Sequence, residues 1–356
     1  GGGWTSGNFG PGRGSGGGHG GVGGECIDDS PPPYRLGGGA YGSITSPITL
    51  GSSGGAGHYD PQSNEGGGAV QLTIGGNLVN EGYVSCNGRN RIGIDPQGLY
   101  SGGGAGGSIY ITCNQLSGGG WMRANGDGAD AGYAGGGAGG RIALHYAALS
   151  LTGAMQAYGG GGRYNGAAGT LCLKTAAEPW GTLIVDNNGR TTSSNAVTMI
   201  GTNVTGTMVG QVVIRNAGHL RVGSNQTLTV YGDWTNGAFA SAEPGGAVTL
   251  AGAGPATIYG ANSFWTLACV NPAKTVLFQA GKTNSVAGFL SLRNATLRST
   301  EEGSWWYFPL AVAASQDVRQ VVVQDSNASS GQPIAATPFS VDLGHNVNWL
   351  FIQPGG

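Results

Sequence analysis

The residues of this chain best suited by type and spacing to do chemistry are carboxylates. Asp60, Glu65, Asp95, Asp127 and Asp130 fall in HYDPQSNEG, NGRNRIGIDPQG and NGDGADAG, polar segments between short apolar stretches. If those stretches stack as repeats, their loops emerge on one side, and two acids could meet across a groove. Two carboxyl groups ~5–10 Å apart are what glycoside hydrolysis needs. Arg89, Arg91 and Arg123 lie near the same loops. Carboxylates beside such a cation suit a calcium-dependent polysaccharide lyase, in which the metal neutralises the uronate. Asp127 and Asp130 are of the type found in glycine–aspartate turns that bind calcium, although one copy is not an array. His58, Tyr59 and Trp121 could form a platform for the apolar face of a sugar ring, with the three arginines as further ligand contacts. The plainer alternatives are solvated turn acids and aromatic residues that cap a core.

Other chemistries find no support. No HExxH, Walker loop, EF-hand loop or nucleophile elbow occurs, and His19, His145, His219 and His345 lack metal-ligand spacing. A net charge of −2 without a basic stripe argues against nucleic acid. There is no apolar run of about 18 residues, hence no expected membrane span. The five cysteines have no CxxC spacing. They are expected to be small buried fillers, with a Cys86–Cys113 bridge as the sharper option. The chain opens at Gly1 inside a glycine run with no signal-peptide pattern, which reads as a processed product or a fragment of a longer protein.

The elements that must position these residues are repeats. GGGAGGSIYITC, from Gly102, and GGGAGGRIALHY, from Gly135, each place a glycine tract before a strand of period-two alternation; weaker copies begin at Gly66 and Gly166. Aligning Ala69, Ser108, Arg141 and Thr170 as strand starts gives steps of 39, 33 and 29 residues, the signature of a stacked array. Of the 75 glycines, 54 precede residue 181, so composition divides the chain. Residues 1–65 form a glycine-rich segment with protruding loops, one of them ECIDDSPPPYRL, whose prolines exclude strand. Residues 66–181 carry the glycine-rich repeats. Residues 182–356 carry denser strands at about 20-residue steps, with Asn and Gly at the joints and an aromatic cap from Trp305, Trp306, Tyr307 and Phe308. The predicted class is all-β: a right-handed parallel β-helix, or solenoid, whose N-terminal portion is partly polyglycine-II-like. In that portion glycine helices pack where nothing larger fits. Tight hairpin signals are scarce, which disfavours a sandwich.

The repeats GGGAGGSIYITCNQLSGG, GGGAGGRIALHY, AAGTLCLK and GTLIVDNNG resemble those of glycine-rich bacterial surface and secreted proteins. The tail LRNATLRST…WWYFPL…VVVQDSNASSGQPIAATPFSVDLGHNVNWLF resembles the close of their filamentous-haemagglutinin-like β-helices. The resemblance covers most of residues 66–351. It implies a secreted or cell-surface parallel β-helix without implying an activity. The expected function is therefore a structural or adhesive surface protein that associates with itself, side by side or end to end. A polysaccharide-active enzyme using the loop carboxylates and a non-catalytic carbohydrate-binding module are the alternatives. No cofactor is expected apart from calcium.

Overall fold

A computed structural model describes residues 13–27, 34–57, 64–89, 101–129, 133–269 and 273–351. The chain is all-β, with no helix among the described residues. It divides into two compact units, Gly1–Gly206 with Arg215–Leu220, and Thr207–Ile214 with Arg221–Gly356.

In the first unit the strands begin with β1 (Cys26–Ile27), β2 (Tyr34–Arg35), β3 (Gly42–Ser43), β4 (Ala69–Thr73), β5 (Asn77–Val79) and β6 (Tyr83–Ser85). They continue with β7 (Ser108–Gly118), β8 (Trp121–Arg123), β9 (Arg141–Leu151), β10 (Met155–Gln156), β11 (Thr170–Thr175) and β12 (Thr182–Asp186). The last are β13 (Thr198–Ile200) and β14 (Val204–Thr205). The four repeat starts are direct partners: Ala69 lies opposite Ser108, Ser108 opposite Arg141, and Arg141 opposite Thr170, all in parallel. A second parallel sheet joins β6, β8 and β10, with Tyr83 opposite Trp121 and Met122 opposite Met155. Alternation supplies the core between them, because a strand sends every second side chain to the same face. Ile109, Ile111, Leu116, Met122, Ile142 and Leu144 are buried there.

Several pairings among the described residues depart from the parallel expectation, the isolated Glu65–Arg89 bridge among them. β12 returns antiparallel to β11, Leu171 facing Ile184, so the boundary expected at residue 181 falls within this unit. β1 and β2 form an antiparallel ladder, Cys26 opposite Arg35, inside the segment predicted to be loop alone. The prolines at 31–33 lie outside the described residues; only the flanking residues, which keep their N–H donors, enter the ladder.

The glycine tracts carry backbone hydrogen bonds to one another across long sequence separations. Gly17 N–H donates to Gly103 O and Gly103 N–H to Gly135 O, each at 2.9 Å, and Gly24 N–H donates to Gly136 O at 2.8 Å. A Cβ on Gly137 would fall 2.0 Å from Gly104 O, and one on Gly106 2.0 Å from Ala124 O, so side chains are excluded by backbone. Collapse of the tracts onto each other also buries His19. Its Nδ1–H donates to Gly106 O at 2.7 Å, and its Nε2 meets the Thr49 hydroxyl at 2.8 Å. Beside it Arg141 is fully buried, donating from Nε to Tyr41 O at 2.9 Å and from Nη1 to the Thr170 hydroxyl at 2.9 Å.

The second unit repeats a simpler plan. Thr227, Ala247, Thr266, Phe289 and Ser315 are successive parallel partners, at steps of 20, 19, 23 and 26 residues. A companion column runs through Trp234–Asn236, Ala256–Tyr259, Lys274–Phe278 and Ala295–Ser299. Leu228, Val248, Leu267 and Leu290 fill the interior at matching positions. Asparagine takes the left-handed backbone at joints, as expected, at Asn225 (φ 57°) and Asn294 (φ 52°). It also forms a buried ladder: Asn236 Nδ2 donates to Asn262 Oδ1 at 3.0 Å, and Asn262 Nδ2 to Asn284 Oδ1 at 2.7 Å. The aromatic quartet is not a cover. Trp306 and Phe308 point inward, Trp306 stacked on Phe278 at 4.0 Å, whereas Trp305 and Tyr307 are partly exposed and further strands follow to Phe351. Period-two geometry turns alternate rings to opposite faces.

All five cysteines are buried and none is in a disulfide, so the Cys86–Cys113 bridge is not formed. Burial pushes the Cys86, Cys113 and Cys172 thiols upward, Cys172 to about 11.

Candidate functional site

The site is built on β8 and the extended residues that follow it, all within the first unit. Met122 is buried in the core, and strand alternation sends Trp121 and Arg123 to the opposite side, half-buried; Asn125 and Asp127, in the residues after the strand, are half-buried too. At a rise of ~3.3 Å per residue, Trp121 to Asp127 spans about 20 Å. Parallel pairing sets Tyr83 beside Trp121 and Gln156 beside Arg123.

At one end the Arg123 guanidinium carbon lies 4.3 Å from the Trp121 ring centroid and 4.9 Å from that of Tyr83. Attraction to the two ring faces holds the cation in place. Asn125 forms the middle. Its Nδ2 donates to Gln156 Oε1 at 3.1 Å, its Oδ1 accepts Tyr158 N–H at 2.8 Å, and its own N–H donates to Asn87 Oδ1 at 2.8 Å. The far end opens into a cleft of about 380 Å³ lined by Asn125, Asp127, Gln156, Tyr158, Asn188 and Arg190. Asp127 Oδ1 accepts Gly128 N–H at 2.8 Å, and Arg190 Nη1 donates to Gly159 O at 2.6 Å. Asn187, buried, ties the Arg190 turn down by donating to Arg190 O at 2.8 Å. Burial and the Asp186 carboxylate raise the Tyr158 phenol, partly offset by Arg215, so it remains a donor at neutral pH.

Of the predicted site residues, the structure brings Trp121, Arg123 and Asp127 onto this strip. The Trp121 platform differs from expectation, because a guanidinium lies against the ring where a sugar was expected to stack. Glu65 and Arg89 pair through their backbones, Glu65 N–H to Arg89 O at 3.0 Å and the reverse at 2.9 Å, with both residues exposed. Neither lines the cleft, and Asp127 is the single carboxylate among the described residues that do. His58, Tyr59, Asp60, Arg91, Asp95 and Asp130 lie outside the described residues.

Tyr83, Gln156, Tyr158 and Arg190 were not predicted. The repeat itself held the signal for three of them: Tyr83 precedes Trp121 by 38 residues, and Gln156 and Tyr158 follow Arg123 and Asn125 by 33. Those are the repeat steps to within one residue. No protein family, curated protein or solved structure matches this chain.

Proposed function

We propose that this protein is an extracellular adhesive β-solenoid, a right-handed parallel β-helix that holds polysaccharide along the Trp121–Asp127 strip. The carrying observation is the alignment, on one outer face, of a ring-backed arginine, a row of fixed amides and a polar cleft. Hydrogen-bonding amides and hydroxyls beside aromatic surface are the groups that bind an extended, hydroxyl-rich chain. The solenoid reading is supported by parallel registers that repeat in each unit, and by glycine tracts that pack as polyglycine-II-like helices would. Secretion follows from the surface-protein resemblance, and adhesion from a strip long enough for several sugar units.

The test is affinity electrophoresis of the full chain in gels containing plant, algal and bacterial polysaccharides. Retardation by at least one polymer is expected, and Trp121→Ala should weaken it by about tenfold while the circular dichroism spectrum is unchanged. Absence of retardation by every polymer would sink the reading. Release of reducing ends or of unsaturated uronate, lost in Asp127→Asn, would replace it with the enzymatic one.

A second reading, self-association, is favoured by a separate observation. β4, β5 and β6 pair on one side only among the described strands, a Cβ on Gly68, Gly75, Gly76 or Gly82 would meet nothing within 4 Å, and Leu72, Val79 and Tyr83 are exposed. An open strand edge is a template for another chain.

A further inference from the structure

We infer that the strip selects acidic polysaccharides, with Arg123 as the residue that reads a carboxylate or sulfate carried on a sugar ring. This deepens the proposed polysaccharide binding and depends on it.

Among the described residues no carboxylate pairs with Arg123, and its Nε is shielded from solvent without a hydrogen-bond partner. Glu81 Oε2 accepts Gly119 N–H at 3.0 Å, and Asp127 Oδ1 accepts Gly128 N–H at 2.8 Å; neither carboxylate pairs with Arg123. The Trp121 and Tyr83 rings lie against the guanidinium, 4.3 and 4.9 Å from its carbon. Rings at those positions restrict the plane of the guanidinium without neutralising its charge. A cation kept half-buried, oriented and without a counter-ion is prepared for an oxyanion that arrives with a ligand. A guanidinium fork matches the planar geometry of a carboxylate in particular.

The rest of the strip fixes where the anion must sit. In the cleft the charges of Asp127 and Arg190 offset each other, whereas Arg123 has no acid paired with it, so the charged group belongs at the Arg123 end. The hydroxyl groups of the following units then run along Asn125 and Gln156 toward the Tyr158 phenol and Arg190. A polymer with acids spaced along it satisfies this pattern, and the span of about 20 Å exceeds a single sugar.

The experiment measures binding of the intact chain to three polymers by calorimetry: a polyuronate, the same polymer with its carboxyl groups reduced to alcohols, and a sulfated polysaccharide. The wild type is expected to bind the polyuronate at least tenfold more tightly than its reduced counterpart. Arg123→Gln should abolish that discrimination, and Arg123→Lys should lose most of it, because an ammonium offers no fork and stacks poorly. Near-ultraviolet circular dichroism checks that both variants keep their packing. Preference for the sulfated polymer that Arg123→Gln also abolishes supports the inference and names sulfate as the anion. Equal wild-type affinity for acidic and reduced polymers, or discrimination that survives Arg123→Gln, overturns it. If the reduced polymer binds through Trp121 with no dependence on Arg123, only this inference fails; if no polymer binds, the polysaccharide reading fails with it.

Discussion

At the level of single residues, two buried cations, Lys274 and Arg141, hydrogen-bond to carbonyl and hydroxyl oxygens. Lys274 is fully buried and donates its ammonium to four carbonyls: Ala251 O and Gly254 O at 2.8 Å, Tyr231 O at 3.2 Å and Gly252 O at 3.4 Å. Burial draws its pKa down. Arg141 is treated similarly, and burial lowers it to about 9. Next to it, burial first and the Arg141 charge second hold the His19 imidazole at about 3. Neutral His19 is thus the folded form, whereas an unfolded histidine titrates near ~6.5. The stability this contributes is present above pH 6.5 and is lost as pH falls from there toward 3, at up to ~1.4 kcal/mol per pH unit. Thermal melts between pH 7 and 4 should therefore steepen in the wild type relative to His19→Asn, which keeps an amide donor for Gly106 O but cannot take up a proton. Parallel pH profiles for the two proteins would remove His19 as a source of acid sensitivity.

At the level of elements, the glycine tracts behave as packed structure, and individual glycines differ sharply in what they tolerate. Gly137→Ala places a methyl 2.0 Å from Gly104 O, where backbone on both sides must move. It should cost more than about 4 kcal/mol, or prevent folding. Gly82→Ala meets nothing within 4 Å and has no left-handed backbone to strain. It should leave stability unchanged or raise it by up to about 1 kcal/mol, by restricting the unfolded chain. Urea titration of both variants checks the contrast, and equal midpoints would show that the tracts do not pack as described. Much of this level was legible in sequence. The steps of 39, 33 and 29 residues gave strand partners that match residue for residue, because a period-two strand that buries one face has a single register that keeps its apolar side inward. The reversal at β12 was not legible, since nothing in the alternation of TLIVD distinguishes a parallel from an antiparallel neighbour.

For the molecule as a whole, the open edge formed by β4, β5 and β6 sets the expected behaviour in solution. Val79, 63% exposed at that edge, is far enough from the packed interior to be replaced without a cavity. Val79→Lys should lower any concentration-dependent association seen by sedimentation velocity, because a charge on an exposed edge blocks strand addition. Association that is unchanged in Val79→Lys would place the contact elsewhere. By itself the sequence determined the all-β class, the positions of many strands, the buried cysteines and three residues of the strip, Trp121, Arg123 and Asp127. These follow from local alternation and a repeat, both of which are properties of neighbours along the chain. Only the tertiary structure decided that Arg123 lies against Trp121 and Tyr83, that Tyr158 and Arg190 share a cleft with Asp127, and that tract glycines such as Gly106 and Gly137 leave no room for a methyl group where others do. Those contacts join residues tens of positions apart, and their geometry depends on how repeats of unequal length are brought side by side.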